Sequence, residues 1–263
     1  MSNSIDRKKF QTNRDFLKDA TRLEIDFSQT AQSLKLPAPP LQKPFPAETA
    51  LIKLPDGQKS LIETCSKDLA SCIIERESIR RFSDQPLTLE ELSGLLYATQ
   101  GLRKILSPST AVRTVPSAGS RHAFETYLAI TRVNSLEAGL YRYLPLDHAL
   151  IKLKTDEKIG KKAADACLGQ TFVAKAAVTF FWTVLPERME WRYDLAAHKV
   201  LALDAGHVCQ NLYLAATAIA GGTCAIAAYN QRECDDLLGV DGEDEFTIYV
   251  SPVGKKADQG QNS

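Results

Sequence analysis

The sequence predicts an α+β fold, helices packed around a modest sheet, and four stretches carry that prediction. Residues 194–220 form one long Ala- and Leu-rich helical pattern. Residues 176–185 (AAVTFFWTVL) are a continuous apolar, β-rich run, as expected of a strand covered on both faces. Two further strand-like runs, 126–133 and 139–144, precede it with a short turn between them.

The elements follow in chain order. Residues 13–27 read as a short amphipathic helix. Half of the 12 prolines (Pro37, Pro39, Pro40, Pro44, Pro46 and Pro55) fall between residues 37 and 55. Proline fixes φ and removes a donor, so this stretch is expected to be extended. Residues 1–60 are therefore assigned to an arm that wraps the main body or a partner subunit, 61–256 to the body, and 257–263 to a disordered tail. Leu69, Cys72 and Ile73 recur at helical spacing and run into Glu75-Arg76. Thr88 and Glu91 form a capping box for a helix ended by Gly101, with Leu92, Leu95 and Leu96 as its buried stripe. A helix near 157–168 follows the strand pair, a short helix spans 231–238, and a last strand covers 245–252. The 194–220 helix is apolar over too broad a surface for one solvent-facing helix, so a central or dimer-forming place is expected.

Composition limits the partners. The chain has 263 residues, 44% hydrophobic and 24% charged, which suits an ordinary globular protein. Its 32 basic residues balance 32 acidic ones, so no global field favours nucleic acid or an anionic membrane. Any bound anion must be held by a local cluster. The six cysteines show no CxxC pair, the N-terminus lacks an apolar signal core, and no clean run of ~20 apolar residues is present. A reduced, cytoplasmic protein is expected.

Four stretches carry candidate chemistry. Arg76 and Arg80 flank Ser78 in RESIRRF; on a continuing helix the two arginines would share a face and repel. An anion between them would turn that cost into charge-assisted hydrogen bonds. The competing reading is a solvated basic turn paired with Glu75, Glu77 and Asp84. In PSAGSRH (116–122), small residues let backbone approach a ligand closely, and Gly119 can take a positive φ; a plain loop fits as well. Asp204, His207 and Asn211 share one helix face. They are an incomplete metal set, so no metal is expected, and a hydrogen-bonded stripe at a helix or subunit contact is favoured. Gly221-Gly222 and the small residues after them can present backbone N–H groups to a flat ligand, or simply cap the long helix. P-loop, Rossmann, HExxH and GxSxG patterns are all missing.

The order of these blocks is more specific than any one of them. Arg76-x-Ser78-x-Arg80-x-Phe82, PSAGSRH, DAGHVCQNLYLAA (204–216), GGTCAIAAY (221–229) and PVGKK (252–256) together resemble the nitroreductase-like flavoprotein superfamily, and within it the SagB/ThcOx-type dehydrogenase branch. The resemblance covers about residues 70–256, and the N-terminal arm is similar to that of stand-alone members. It implies an α+β homodimer with a central mixed sheet, an intertwined interface around the long helix, and two FMN sites built from both subunits. Arg76, Ser78 and Arg80 would hold the FMN phosphate and ribityl end. Pro116, Ser117 and Ser120 would contact the flavin, Ser120 standing where many nitroreductases have Asn. The backbone at Ala227 and Ala228 would approach flavin N5, and Lys255 or Lys256 would complete the phosphate site.

The implied chemistry is hydride transfer from NADH or NADPH to N5, and from there to a small nitro, quinone or enone-like acceptor in a ping-pong cycle. A second reading is the oxidative direction, an azoline-bearing or other peptide oxidised with FMN and O₂. A third is a flavin-binding protein without turnover, and a fourth a dimeric interaction protein without flavin. The azoline-oxidising branch places a Lys-Tyr pair before the long helix, where this chain has Trp191-Arg192-Tyr193. Arginine stays protonated near neutral pH and is a poor base, which counts against azoline oxidation. Tyr193 is the candidate acid and Arg192 its neighbour in the site; surface packing at a helix start fits both equally.

Overall fold

In the computed structural model, which describes residues 8–257, the apolar run at 176–185 lies inside the sheet with both faces covered, as its composition requires. The elements in chain order are α1 (Gln11–Leu17), β1 (Leu51–Lys53), α2 (Gly57–Thr64), α3 (Leu69–Glu75), α4 (Leu89–Gln100), β2 (Leu102–Ser107) and β3 (Thr110–Arg113). They continue with β4 (Phe124–Ile130), β5 (Gly139–Leu144), β6 (Ala149–Thr155), α5 (Ile159–Ala166), α6 (Thr171–Ala174) and β7 (Val178–Val184). Last come α7 (Glu187–Tyr193), α8 (Ala197–Ala218), β8 (Gly221–Thr223), α9 (Gln231–Leu238) and β9 (Phe246–Lys255).

Seven strands lie in the order β1-β6-β5-β4-β7-β9-β8, and β2 with β3 makes a separate hairpin. Period-two alternation sorts the sheet's side chains between two cores. Phe124, Leu128 and Ile130 of β4 and Val178, Phe180, Trp182 and Val184 of β7 face α4 and α8. Tyr127, Ala129 and Phe181 face α5, α6 and α9 on the other side. Helices thus surround the sheet, and α8 lies along one face of it. The parallel component of the expected mixed sheet is small. Every ladder between named strands is antiparallel. Parallel pairing is confined to the isolated bridges Ser78↔Thr223 and Leu87↔Val133.

Several boundaries differ from expectation for local reasons. The helix expected over 13–27 stops at Leu17 and gives way to single 3-10 turns at Ala20–Glu24 and Phe27–Gln29. Asp26 takes the Ser28 N–H onto its own carboxylate, which competes with continuing helix. The body also begins before residue 61: β1 pairs with β6, and α2, capped by Asp56 on the Lys59 N–H, packs on α4. Gly94 permits that packing, because a Cβ there would lie 3.2 Å from the Leu61 backbone. The long helix covers 22 residues, about 33 Å at ~1.5 Å per residue, since a 3-10 turn at Asp194–Ala196 precedes it. Of the expected tail, all but Ala257 lies outside the described residues.

The proline-rich stretch is extended and stitched to the body of its own chain. The Arg113 guanidinium donates to Leu41 O (2.8 Å), and that of Arg142 to Lys43 O and Pro44 O (3.1 and 3.2 Å). The Lys43 N–H donates to Glu125 Oε1 (2.8 Å), and its ammonium pairs with Glu245. Upstream, Gln32 N–H donates to Trp191 O (2.8 Å) and Trp191 Nε1–H to Leu36 O (3.1 Å). The arm therefore bears directly on α7.

Candidate functional site

The basic block after α3 is not helical. The helix ends at Glu75, and Arg76 takes φ −59°, ψ 120°. From there the chain runs extended beside β8 and the end of β9: Ile79 N–H donates to Thr223 O (2.9 Å) and Ser83 N–H to Lys255 O (2.9 Å). This corrects the expectation of two guanidinium groups on one helical turn. Arg76 and Ser78 both meet Tyr213, while Ile79 lies against Gly222. Glycine makes that placement possible. A Cβ on Gly222 would lie 2.4 Å from Ile79 Cγ1, and one on Gly254 would lie 3.0 Å from the Phe82 ring. The glycines of the fourth and fifth blocks are thus the floor on which the first block lies.

A cavity of about 460 Å³ opens along this segment, lined by Glu77, Ser78, Ile79, Arg80, Arg81, Lys256 and Ala257. Three cations against one carboxylate, with a hydroxyl among them, suit an anion. Lys256 Nζ lies 3.7 Å from Glu77 Oε1 and reaches this cavity. Lys255 points elsewhere: its ammonium pairs with Glu91 at the start of α4 and donates to Ile219 O (2.9 Å) at the end of α8. Arg76 lies over the Tyr213 ring, its guanidinium carbon 5.4 Å from the centroid.

Tyr213 ties three blocks together. Its hydroxyl is 3.0 Å from Ser78 Oγ and accepts from Ala225 N–H at 2.8 Å. It is the one aromatic residue in 208–220, a signal visible in the sequence but unused there. Beyond Ala225 the fourth block is pinned to β9 by mutual backbone hydrogen bonds between Ile226 and Val250 (2.8 and 3.2 Å). Ala227 and Ala228 then lie exposed, with Ala228 O accepting from Gln170 Nε2 (2.9 Å).

The second block lies against the other predicted pair. Gly119 takes φ +57°, as its residue type anticipated, and Ser120 and His122 are also left-handed at +53° and +47°. A Cβ on Gly119 would sit 2.7 Å from both Arg192 Nε and Tyr193 Oη, so these side chains close over the loop. Ser117 Oγ accepts from His122 N–H (2.9 Å), while Pro116 is exposed. Arg121, buried, stacks over Trp191 at 4.7 Å and donates to Arg188 O and Ser109 O (both 2.9 Å).

Two members of the polar stripe on α8, Asp204 and Asn211, are hydrogen-bonded anchors. Asp204 Oδ2 accepts from Ala118 N–H (3.2 Å), His207 Nδ1 lies 3.7 Å from Asp204 Oδ1, and Asn211 donates to Ala98 O (2.8 Å). Burial raises the Asp204 carboxyl above its ordinary range. Among the described residues no group of His, Cys, Asp and Glu is arranged to hold a metal ion. The first block is anchored on α8 at Tyr213 and the second at Asp204. Nine positions separate them, ~14 Å along the axis and half a turn around it. Within one chain the two blocks thus occupy different ends and sides of the helix.

His122 links the second block to pH. Burial, and then the Arg113 guanidinium, push its imidazole down to about 3. A histidine kept neutral in the fold but free to charge when unfolded lowers stability as pH falls from its ordinary value of 6.5 towards 3. The slope is roughly 1.4 kcal/mol per pH unit for the one proton, and above 6.5 this contribution is constant. His122→Asn, which tolerates the left-handed backbone, flattens that slope in urea denaturation curves measured between pH 4 and 7.5.

Comparison with known proteins places these features in context. The Nitroreductase family profile matches residues 73–255. The chain is 32% identical over 209 residues to a Methanocaldococcus jannaschii protein designated a candidate nitroreductase, covering 80% of this chain and 98% of that one. Over 108 residues it is 30% identical to the trifolitoxin-processing protein TfxB of Rhizobium leguminosarum bv. trifolii, covering 40% of this chain and 29% of that protein. The crystal structure of a candidate nitroreductase from Ralstonia eutropha superposes with a TM-score of 0.64 at 26% identity, covering 85% of this chain and 100% of the other.

Proposed function

Because the chain belongs to the nitroreductase family of oxidoreductase enzymes, we propose that it holds FMN and passes hydride from NADH or NADPH to a small organic acceptor. The observation that carries this reading is the cationic cavity lined by Ser78, Arg80, Arg81 and Lys256. Its donor set suits a phosphate monoester: guanidinium and ammonium groups neutralise the charge, and a hydroxyl adds a directed hydrogen bond. When bound, the flavin supplies the centre that accepts and returns hydride.

The chain's own groups orient and protonate. Arg76, Ser78, Arg80 and Lys256 would hold the phosphate and ribityl end; Lys255, engaged with Glu91 and Ile219, ties the start of α4 to the end of α8 instead. The exposed residues Ala227 and Ala228 would lie against the ring system. Pro116, Ser117 and Ser120 serve the site of a second copy, a reading supported by the two anchors half a turn apart on α8. That helix leaves Ala202, Leu203, Gly206 and Gln210 exposed, and nothing lies within 4 Å of where a Gly206 Cβ would be, so another helix can approach closely. This supports a homodimer. Tyr193 can donate a proton to the acceptor, while the Arg192 guanidinium orients it. The six cysteines, all free thiols, suit a reducing cytoplasm. Among the described residues no helix is long and apolar enough to cross a membrane.

Oxidation of a peptide is the second reading, favoured by the 30% identity to a trifolitoxin-processing protein. The absence of lysine beside Tyr193 argues for the first. Purified protein is expected to be yellow, to bleach with NADH or NADPH without oxygen, and to regain colour with a quinone. Colourless protein that takes up no added FMN would end this proposal; colour that an azoline peptide bleaches, but NAD(P)H does not, selects the second reading.

A further inference from the structure

From the hydrogen-bond chain through Tyr213 we infer that this residue is a positioning group, which turns Ser78 into an outward-facing donor and so gives the site its preference for a phosphorylated flavin. The inference rests on the proposed FMN site and adds a residue to it. Three facts carry it. The Ala225 N–H can only donate, and it points at Tyr213 Oη from 2.8 Å. The tyrosine oxygen is therefore an acceptor there, and the inferred arrangement sends its single hydrogen to Ser78 Oγ, 3.0 Å away. Ser78 Oγ, accepting from the phenol, keeps its own hydrogen for the cavity it lines with Arg80, Arg81 and Lys256.

The polarity of the chain is thus set at the backbone of the fourth block and delivered at the first. Each link polarises the next, which strengthens the terminal donor towards an anion. The Arg76 guanidinium over the Tyr213 ring adds to this, because a cation on the π-face makes the phenol hydrogen a better donor. Without the phenol oxygen, Ser78 could rotate to satisfy itself on neighbouring groups, and Ala225 N–H would lose its partner. A neutral ribityl end with no phosphate gains less from an oriented donor and registers the change only weakly.

The test compares FMN with riboflavin, which differ by the phosphate alone. Flavin-depleted full-length protein is titrated with each, following quenching of flavin fluorescence. Wild-type protein is expected to prefer FMN. Tyr213→Phe keeps the ring under Arg76 and removes only the oxygen. It is expected to weaken FMN about 10-fold and riboflavin less than about 2-fold, as for loss of one hydrogen bond to a charged group. Ser78→Ala should lower the FMN-to-riboflavin ratio by a similar factor, which keeps the inference testable if the tyrosine variant folds poorly. An unchanged ratio in Tyr213→Phe, or equal weakening of both flavins by it, overturns the role of Tyr213 and leaves the FMN site intact; an unchanged ratio in Ser78→Ala overturns it as well, by removing Ser78 from the phosphate contacts. If wild-type protein binds riboflavin as tightly as FMN, the phosphate site itself is wrong and the inference falls with it.

Discussion

At the proposed site, replacing Arg80 by Ala is expected to weaken FMN binding by roughly 10- to 100-fold, the loss expected of one charge-assisted contact to a phosphate. Arg80 is exposed and lines the cavity beside Ser78 and Lys256, so its removal takes away charge without opening the core. Unfolding midpoints without flavin should move little, and the binding loss should shrink in high salt, where the remaining cations are screened. Arg80→Lys should recover only part of the loss, because an ammonium cannot make a forked contact. Lys256→Ala acts in the same direction. Lys255→Ala should instead lower stability, since it leaves Glu91 and the last turn of α8 without their shared partner. Fluorescence titration with FMN, beside urea denaturation of the flavin-free protein, separates the two lysines. Equal FMN affinity in wild type and Arg80→Ala would count against the whole phosphate site.

Arg188→Met is expected to destabilise the protein by roughly 3–5 kcal/mol, the cost of leaving a buried carboxylate unpaired. Arg188 is 1% exposed and Glu125 2%, and the guanidinium meets Glu125 Oε1 at 2.6 Å. The same carboxylate oxygen holds the Lys43 N–H of the proline-rich strap. Loss of the pair should therefore also loosen residues 41–44, read as faster cleavage there by added protease. Joint replacement, Glu125→Leu with Arg188→Met, should recover most of the stability, because a buried ion pair is worth little more than well-packed apolar groups. In the double variant the Lys43 N–H loses its Glu125 acceptor, so recovery falls short by about 1–2 kcal/mol. If the double variant were no more stable than the single one, the unpaired charge would not be the cause.

Elements written in adjacent residues were legible in the sequence. The Thr88–Glu91 capping box is present with both of its hydrogen bonds, at 3.0 and 3.1 Å. Strand 139–144 and helix 231–238 have the expected ends. Their signals are caps and periodicities spanning a few residues. By contrast β6 (ALIKLKT) was unread, because half of it is solvent-facing near a sheet edge and its lysines hide the alternation. The β2–β3 hairpin lies outside the main sheet, and its exposed strand LRKILS has no buried face to mark it.

The site divides along the same line. Which residue types lie where, an Arg-Ser-Arg alternation, a left-handed Gly119, paired glycines and a basic end, is written in the chain and was read from it. Which of them meet is not, because the contacts join distant positions: Ser78 meets Tyr213 across 135 residues and Ala118 meets Asp204 across 86. Whether the basic block is helix or extended turns on β8 and β9 offering free edge groups to Ile79 and Ser83, and on Gly222 and Gly254 leaving room for Ile79 and Phe82. Whether Lys255 or Lys256 faces the cavity turns on Glu91, 164 residues earlier, claiming one of them. Local chemistry settles what a segment can do; partners supplied by the rest of the fold decide which of those things it does.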